Sequence, residues 1–129
     1  NEMAMIIGLA LLTIGNFLGG VWANESWGRY WGWDSKETWA LISIIVYTMI
    51  LHLRFISKFN NPYAFASASV IGFYSILMTY FGVNFYLSGL HSYAAGDPVP
   101  VPKFLYFFIA FTVILILGAF FKRRLKNPV

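Results

Sequence analysis

Four long apolar stretches decide what this chain can fold into. They run from Met3 to Trp22, from Glu37 to Phe55, from Tyr63 to about Phe85, and from Lys103 to Phe121. Each approaches the roughly 20 residues that a helix needs to cross the hydrocarbon of a bilayer. Lipid offers backbone groups no hydrogen-bond partner, so such segments must satisfy their own amides as helices. Composition agrees: 59% of the residues are hydrophobic and 11% charged, whereas soluble domains carry charge on about a quarter. The expected fold is all-α, a polytopic transmembrane helix bundle of about four spans with two functional outer loops.

The same sequence excludes several chemistries. There is no cysteine, so these residues supply no disulfide, thiolate metal site or catalytic thiol. The net charge of +4 is not a nucleic-acid footprint, because the basic residues cluster beside apolar spans. Asn1 opens in apolar sequence without a charged leader region or cleavage site. Residues 1–129 therefore read as one unit, the C-terminal part of a longer membrane domain.

Between the first two spans all five tryptophans fall in Trp22–Trp39, four of them within Trp-Gly-Arg-Tyr-Trp-Gly-Trp-Asp-Ser-Lys-Glu-Thr-Trp, residues 27–39. Gly28 and Gly32 open the backbone between the rings. Asp34 followed by Glu37 is the signature of a capped helix start. The expected result is a flat aromatic surface leading into a helix, suited to a large planar ligand. An interfacial belt of tryptophans is the plainer alternative, which this density and these glycines disfavour. Gly15 and Gly19 form a small-x-x-x-small pair, read as ordinary helix packing.

Residues 86–102, Tyr-Leu-Ser-Gly-Leu-His-Ser-Tyr-Ala-Ala-Gly-Asp-Pro-Val-Pro-Val-Pro, form a second long loop. Its prolines end any helix. Arg54 and Lys58 mark the short connection 57–62, and Lys122, Arg123, Arg124 and Lys126 mark the tail. The positive-inside rule puts those ends in the cytoplasm and both long loops outside. The C-terminus is then cytoplasmic.

The two histidines fall on opposite sides. His91 sits in the second outer loop, flanked by Tyr86, Leu87, Leu90 and Tyr93, opposite the tryptophans. His52 lies near the inner end of the second span, about 27 Å along the helix from Asp34 at 1.5 Å per residue. They cannot share one small site, so two stations are implied if both bind. His52 could equally cap its helix or sit beside Arg54, and His91 could be a solvated loop residue. Intramembrane ionisable groups are functional by default. A flat apolar ligand that takes an axial imidazole is haem; a quinone fits the rings but makes less use of the histidines.

The tryptophan run resembles the WWD signature of haem-handling proteins in cytochrome c biogenesis. Ala40–Arg54 and Gly82-Val-Asn-Phe-Tyr-Leu-Ser-Gly-Leu-His-Ser-Tyr93 resemble the CcsA/ResC type of system II in particular. The resemblance implies that the signature presents haem b, iron-protoporphyrin IX, on the outer face between two outer histidines, with membrane histidines along its route. By position Trp27, Trp31, Trp33 and Asp34 match the core of the signature, with Trp39 closing the run. His91 matches the second outer histidine and His52 a membrane histidine, which makes both candidate iron ligands. The first outer histidine has no counterpart here and is expected upstream of Asn1.

The implied activity is the haem-presenting part of a holocytochrome c synthase. Implied partners are the membrane, a CcsB/ResB-type subunit or fused domain, thioredoxin-like thiol reductants, and an apocytochrome c that brings Cys-x-x-Cys-His. No nucleic acid is involved. Asp34, Lys36 and Glu37 could orient propionates or the partner peptide, or merely cap the helix. Two other functions fit the sequence: a haem-delivery module without ligase activity, and a quinone-binding or structural subunit.

Overall fold

The computed structural model describes residues 2–87, 89 and 100–126. Helix α1 spans Glu2–Trp27, α2 Ser35–His52 and α3 Pro62–Leu77. A π-helical turn, Met78–Gly82, joins α3 to the short α4, Val83–Tyr86, and α5 covers Lys103–Lys126. No strand occurs among the described residues. Four helical segments, Glu2–Trp27, Ser35–Phe55, Pro62–Tyr86 and Lys103–Leu125, are long and apolar enough to cross a membrane. The expected all-α bundle of four spans is what forms.

Local signals explain most boundaries. Asn61 caps α3 by accepting the Ala64 N–H at 2.9 Å, with Pro62 in the first turn where its missing donor costs nothing. One 3-10 turn, Leu53–Phe55, closes the second span. The first helix departs from expectation. It continues through Trp22 to Trp27, so residues 23–27 are helix and only 28–34 form the tryptophan loop.

Polar bonds at defined heights hold the helices together. Ser43, fully buried on α2, bonds Thr79 Oγ1 in the π-helical turn at 3.0 Å. The Thr79 hydroxyl shares its own proton between two carbonyls, Ser75 one turn back at 2.8 Å and Trp39 of α2 at 3.0 Å, so the proton between the hydroxyls is Ser43's. Helix α5 is pinned to α3 by Tyr63 Oη donating to the Ile116 carbonyl at 3.0 Å and by Tyr74 Oη meeting Thr112 Oγ1 at 2.7 Å. At one end Lys36 Nζ donates to Asn84 Oδ1 across α2 and α4. At the other, Arg54 pairs with Glu2 and Arg123 donates to Asn61 Oδ1. These bonds define a tryptophan end and a basic end.

Apolar side chains mostly face outward: Phe107 on α5 is 75% exposed and Phe17 on α1 72%. In a bilayer that surface meets acyl chains, and helices associate through close approach and polar bonds. The closest approach is at Gly72 of α3. A Cβ there would stand 2.6 Å from Ile50 Cδ1 and 3.3 Å from Val46 Cγ1 of α2. The Gly15–Gly19 pair behaves differently from expectation. A Cβ at either meets nothing within 4 Å, and the close approach on this part of α1 is that of the tryptophan loop at Gly20, where a Cβ would meet the Tyr30 carbonyl at 3.1 Å.

Replacing Gly72 with valine is therefore expected to lower stability by about 1–3 kcal/mol through overpacking. A fall in the thermal midpoint of the detergent-solubilised protein would register it.

Candidate functional site

The tryptophan loop is built backwards from the start of α2. Asp34 Oδ1 accepts the backbone N–H groups of Lys36 and Glu37, each at 3.0 Å. Glu37 Oε2 reaches back to the Asp34 N–H at 3.3 Å, completing the reciprocal cap. The same Glu37 oxygen accepts the Gly32 N–H at 2.7 Å. One carboxylate thus ties the loop to the helix. Gly32 has a further role: a Cβ there would stand 2.5 Å from Arg29 Cζ, so the guanidinium lies over the bare backbone.

Two residues adopt the left-handed region. Gly28 does so at φ 71, just after α1, as glycine readily does at a helix end. Trp33 does so at φ 57. A bulky side chain there is a genuine outlier, costing about 1–3 kcal/mol, and such strain collects at functional sites. Its indole is 70% exposed beyond the end of the bundle.

The rings do not form the flat surface expected. Trp22 and Trp27 meet edge to face, with centroids 5.0 Å apart and planes at 81°. Trp31 and Trp33 do the same at 5.7 Å and 87°. Edge-to-face contact follows from the ring quadrupole. The outcome is a corrugated aromatic wall with one indole directed inward and one outward.

The inward one is Trp31. It lines a cavity of about 460 Å³ with Gly15, Asn16 and Gly19 of α1, Lys36 of α2 and Thr79 of the π-helical turn, a size typical of small-molecule sites. Trp31 Nε1–H is buried there with no partner. An unmade bond of that kind normally signals an acceptor still to come. Sequence reasoning found the tryptophan but missed the cavity. The available signals were Asn16, an amide inside an apolar span, and the Gly15–Gly19 stripe. The π-helical turn that brings Thr79 inward had no sequence marker, although such turns recur at functional sites. Trp27, Trp33 and Trp39 do not line the cavity. Trp27 ends α1, and Trp39 lies on α2, where its carbonyl holds Thr79.

The second long loop returns to this place. Gly89 lies over the helix cap: a Cβ there would be 3.4 Å from Asp34 Oδ2 and 3.6 Å from the Ser35 nitrogen. Residues 90–99, with His91, lie outside the described residues.

His52 is at the opposite end. Its Nδ1–H donates to the Thr48 carbonyl at 2.6 Å, so Nε2 takes no part in that bond. This bond caps the last turn of α2, and it is also the orienting bond that metal-bound histidines use. Among the described residues no three His, Asp or Glu side chains gather as a metal cluster. An iron atom already carried by a porphyrin needs only axial ligands, so single histidines suffice for it.

Comparison with known proteins settles the family. The model of the family described as cytochrome C assembly protein matches residues 1–91. The chain belongs to the cytochrome c assembly family. Protein NrfI of Wolinella succinogenes is 59% identical over 127 residues, covering 98% of this chain and 14% of that protein. The cytochrome c biogenesis protein CcsA of Trieres chinensis is 53% identical over 87 residues, 67% of this chain and 28% of its own length. CcsA of Gloeobacter violaceus is 46% identical over 87 residues, 67% and 25% respectively. The chain therefore spans about a quarter or less of these relatives. Within the family match fall the cap, the aromatic wall, His52 and Gly89; α5 falls outside it.

Substitutions at two positions separate scaffold from site in this cytochrome c assembly protein. Asparagine caps as well as aspartate, so Asp34→Asn is expected to keep the stability that Asp34→Ala loses, about 1 kcal/mol. Trp33→Gly relieves the left-handed strain and is expected to leave the thermal midpoint unchanged or raised while removing the exposed ring. Parallel thermal melts of the purified variants check both.

Proposed function

We propose that this chain presents haem for covalent attachment to apocytochrome c, as the haem-holding part of a synthase in the extracytoplasmic half of a bacterial inner membrane. The observation that carries this reading is the approach of Gly89 to Asp34. A chain segment two residues short of His91 rests on the start of α2, beside the aromatic wall. In the proposed arrangement Trp27, Trp31, Trp33 and Trp39 provide the apolar wall, and His91 approaches the iron from the second loop.

Asp34 acts here through the backbone it caps, holding Trp31 and Trp33 in place. Lys36, at the cavity lining and 3.2 Å from Asn84 Oδ1, is the cation suited to a propionate. The unpartnered Trp31 N–H adds a neutral donor. The porphyrin brings the vinyl groups that react. With no cysteine in these residues, the thiols come from the acceptor's Cys-x-x-Cys-His segment. Each thiol adds across one vinyl group, forming one C–S and one C–H bond without net oxidation. The chain contributes position and orientation, which alone can supply several kcal/mol of the barrier. His52, with Nε2 outside the Thr48 bond, serves as an inner station on the route. Thioredoxin-like reductants and a CcsB/ResB-type subunit or fused domain complete the system.

The test is the optical spectrum of the intact protein. His91→Ala is expected to lose most of the Soret absorbance and cytochrome assembly, with recovery on added imidazole. His52→Ala is expected to lower haem loading while leaving the spectrum of the outer haem unchanged. Unchanged spectra and activity in His91→Ala would contradict the proposal.

A further inference from the structure

The basic end carries a second cavity, of about 480 Å³, away from the tryptophan loop. Arg54 lines it from the end of the second span, Asn60 and Asn61 from the start of the third, with Leu53, Pro62 and Phe65. Arg123, near the end of α5, reaches the same place by donating to Asn61 Oδ1 at 2.7 Å. Two guanidiniums from different spans are thus gathered at one cavity. Asn61 uses Oδ1 for Arg123 and for the Ala64 N–H, and its amide nitrogen donates to no protein group among the described residues. One carboxylate stands against these cations. It is Glu2 of α1, which also lines the cavity and pairs with Arg54. Arg123 pairs with no carboxylate among the described residues. Beside Arg54 the connection to α3 exposes Phe55, Ile56 and Phe59.

We propose that this cavity holds the phosphate of an anionic glycerophospholipid, with Arg54 and Arg123 as charged donors and the Asn61 amide as a neutral one. Guanidinium matches phosphate oxygens with a planar fork of N–H groups, and basic pockets between spans suit lipid headgroups. The lining favours a lipid over a soluble phosphate. It joins cations and amides to Leu53, Pro62 and Phe65, at the ends of helices long and apolar enough to cross a membrane. A headgroup can therefore enter while its acyl chains stay against apolar side chains. Glu2 is the internal anion that the lipid replaces. Both members of the Arg54–Glu2 pair are exposed, at 57% and 43%, and so exposed a pair contributes little. Exchanging its carboxylate for a phosphate is nearly balanced. The bound phosphate would link the end of the second span to the end of α5, a helix fastened to α3 through Tyr63 and Tyr74. The lipid thus acts as a clamp on the fourth span, independently of haem.

The test titrates the full-length protein in neutral detergent with phosphatidylglycerol or phosphatidylcholine in mixed micelles and counts retained lipid by native mass spectrometry. The parent is expected to prefer phosphatidylglycerol by about tenfold, the scale of a charge-assisted bond. Arg54→Gln and Arg123→Gln should each remove most of that preference. Arg54→Lys should restore it only in part, because a point charge lacks the fork. Lys122→Gln, an equal loss of charge at the same end, should keep it. Glu2→Gln should strengthen retention by about fivefold, the scale of one charge near a membrane surface. Arg54→Gln and Glu2→Gln break the same ion pair, so a merely structural role would move retention in one direction for both. The gain in Glu2→Gln also decides the matter if an arginine variant fails to fold. Equal losses in Lys122→Gln and Arg54→Gln would overturn the site in favour of diffuse surface attraction. Displacement of the lipid by millimolar inorganic phosphate would overturn the lipid assignment, and equal retention of both lipids by the parent would overturn the proposal outright.

Discussion

One carboxylate, that of Glu37, holds the architecture of the tryptophan end. It accepts the Asp34 and Gly32 N–H groups from within the first turn of α2. To the bonds of the Asp34 cap it adds a direct tie between the loop and the first turn of α2. With it, the chain turns sharply enough that Trp33 is driven into the left-handed region. The strain at Trp33 is about 1–3 kcal/mol and an N-cap contributes about 0.5–2 kcal/mol, so the cap offsets part of what the turn costs. Its two carboxylates act as scaffold for the rings of the loop.

The remainder of the bundle is held sparingly, as membrane helices are. Ser43, Thr79 and the Trp39 carbonyl make one polar pin between α2 and the third span. Gly72 lets Ile50 approach closely. Beyond these contacts α1 is loosely covered, and its glycine face opens onto the cavity where the Trp31 N–H is left without a partner. The loose packing and the cavity have one origin. The loop is tied to the start of α2 at the tryptophan end, and the space beside it near α1 is not filled by side chains.

Much of this was legible in the sequence. The four spans follow from hydropathy, and the start of α2 follows from Asp34 and Glu37 alone, because a capping box is local chemistry. The end of α1 was not legible: Ala23–Trp27 contains polar residues that read as loop, yet the helix runs on until Gly28 turns it. The positive φ of Trp33 and the π-helical turn at Met78–Gly82 are set by tertiary contacts that leave no local mark. The edge-to-face rings likewise depend on how the loop folds back. Tertiary pairs such as Lys36–Asn84, Arg54–Glu2 and Gly89–Asp34 join residues up to 55 positions apart in the sequence, and a single sequence carries no signal for them. The family resemblance held, and the family match extends over all but the last two of the residues that suggested it.

In the proposed arrangement both long loops face one ligand, and the described contact that would bring them together is Gly89 beside the start of α2. The most direct test uses the absence of cysteine in these residues: introduce Ser35→Cys and Gly89→Cys together in the full-length protein and oxidise native membranes. Rapid formation of a disulfide between the two positions is the expected result. Two thiols that stay freely reactive with maleimide and never join would contradict the account.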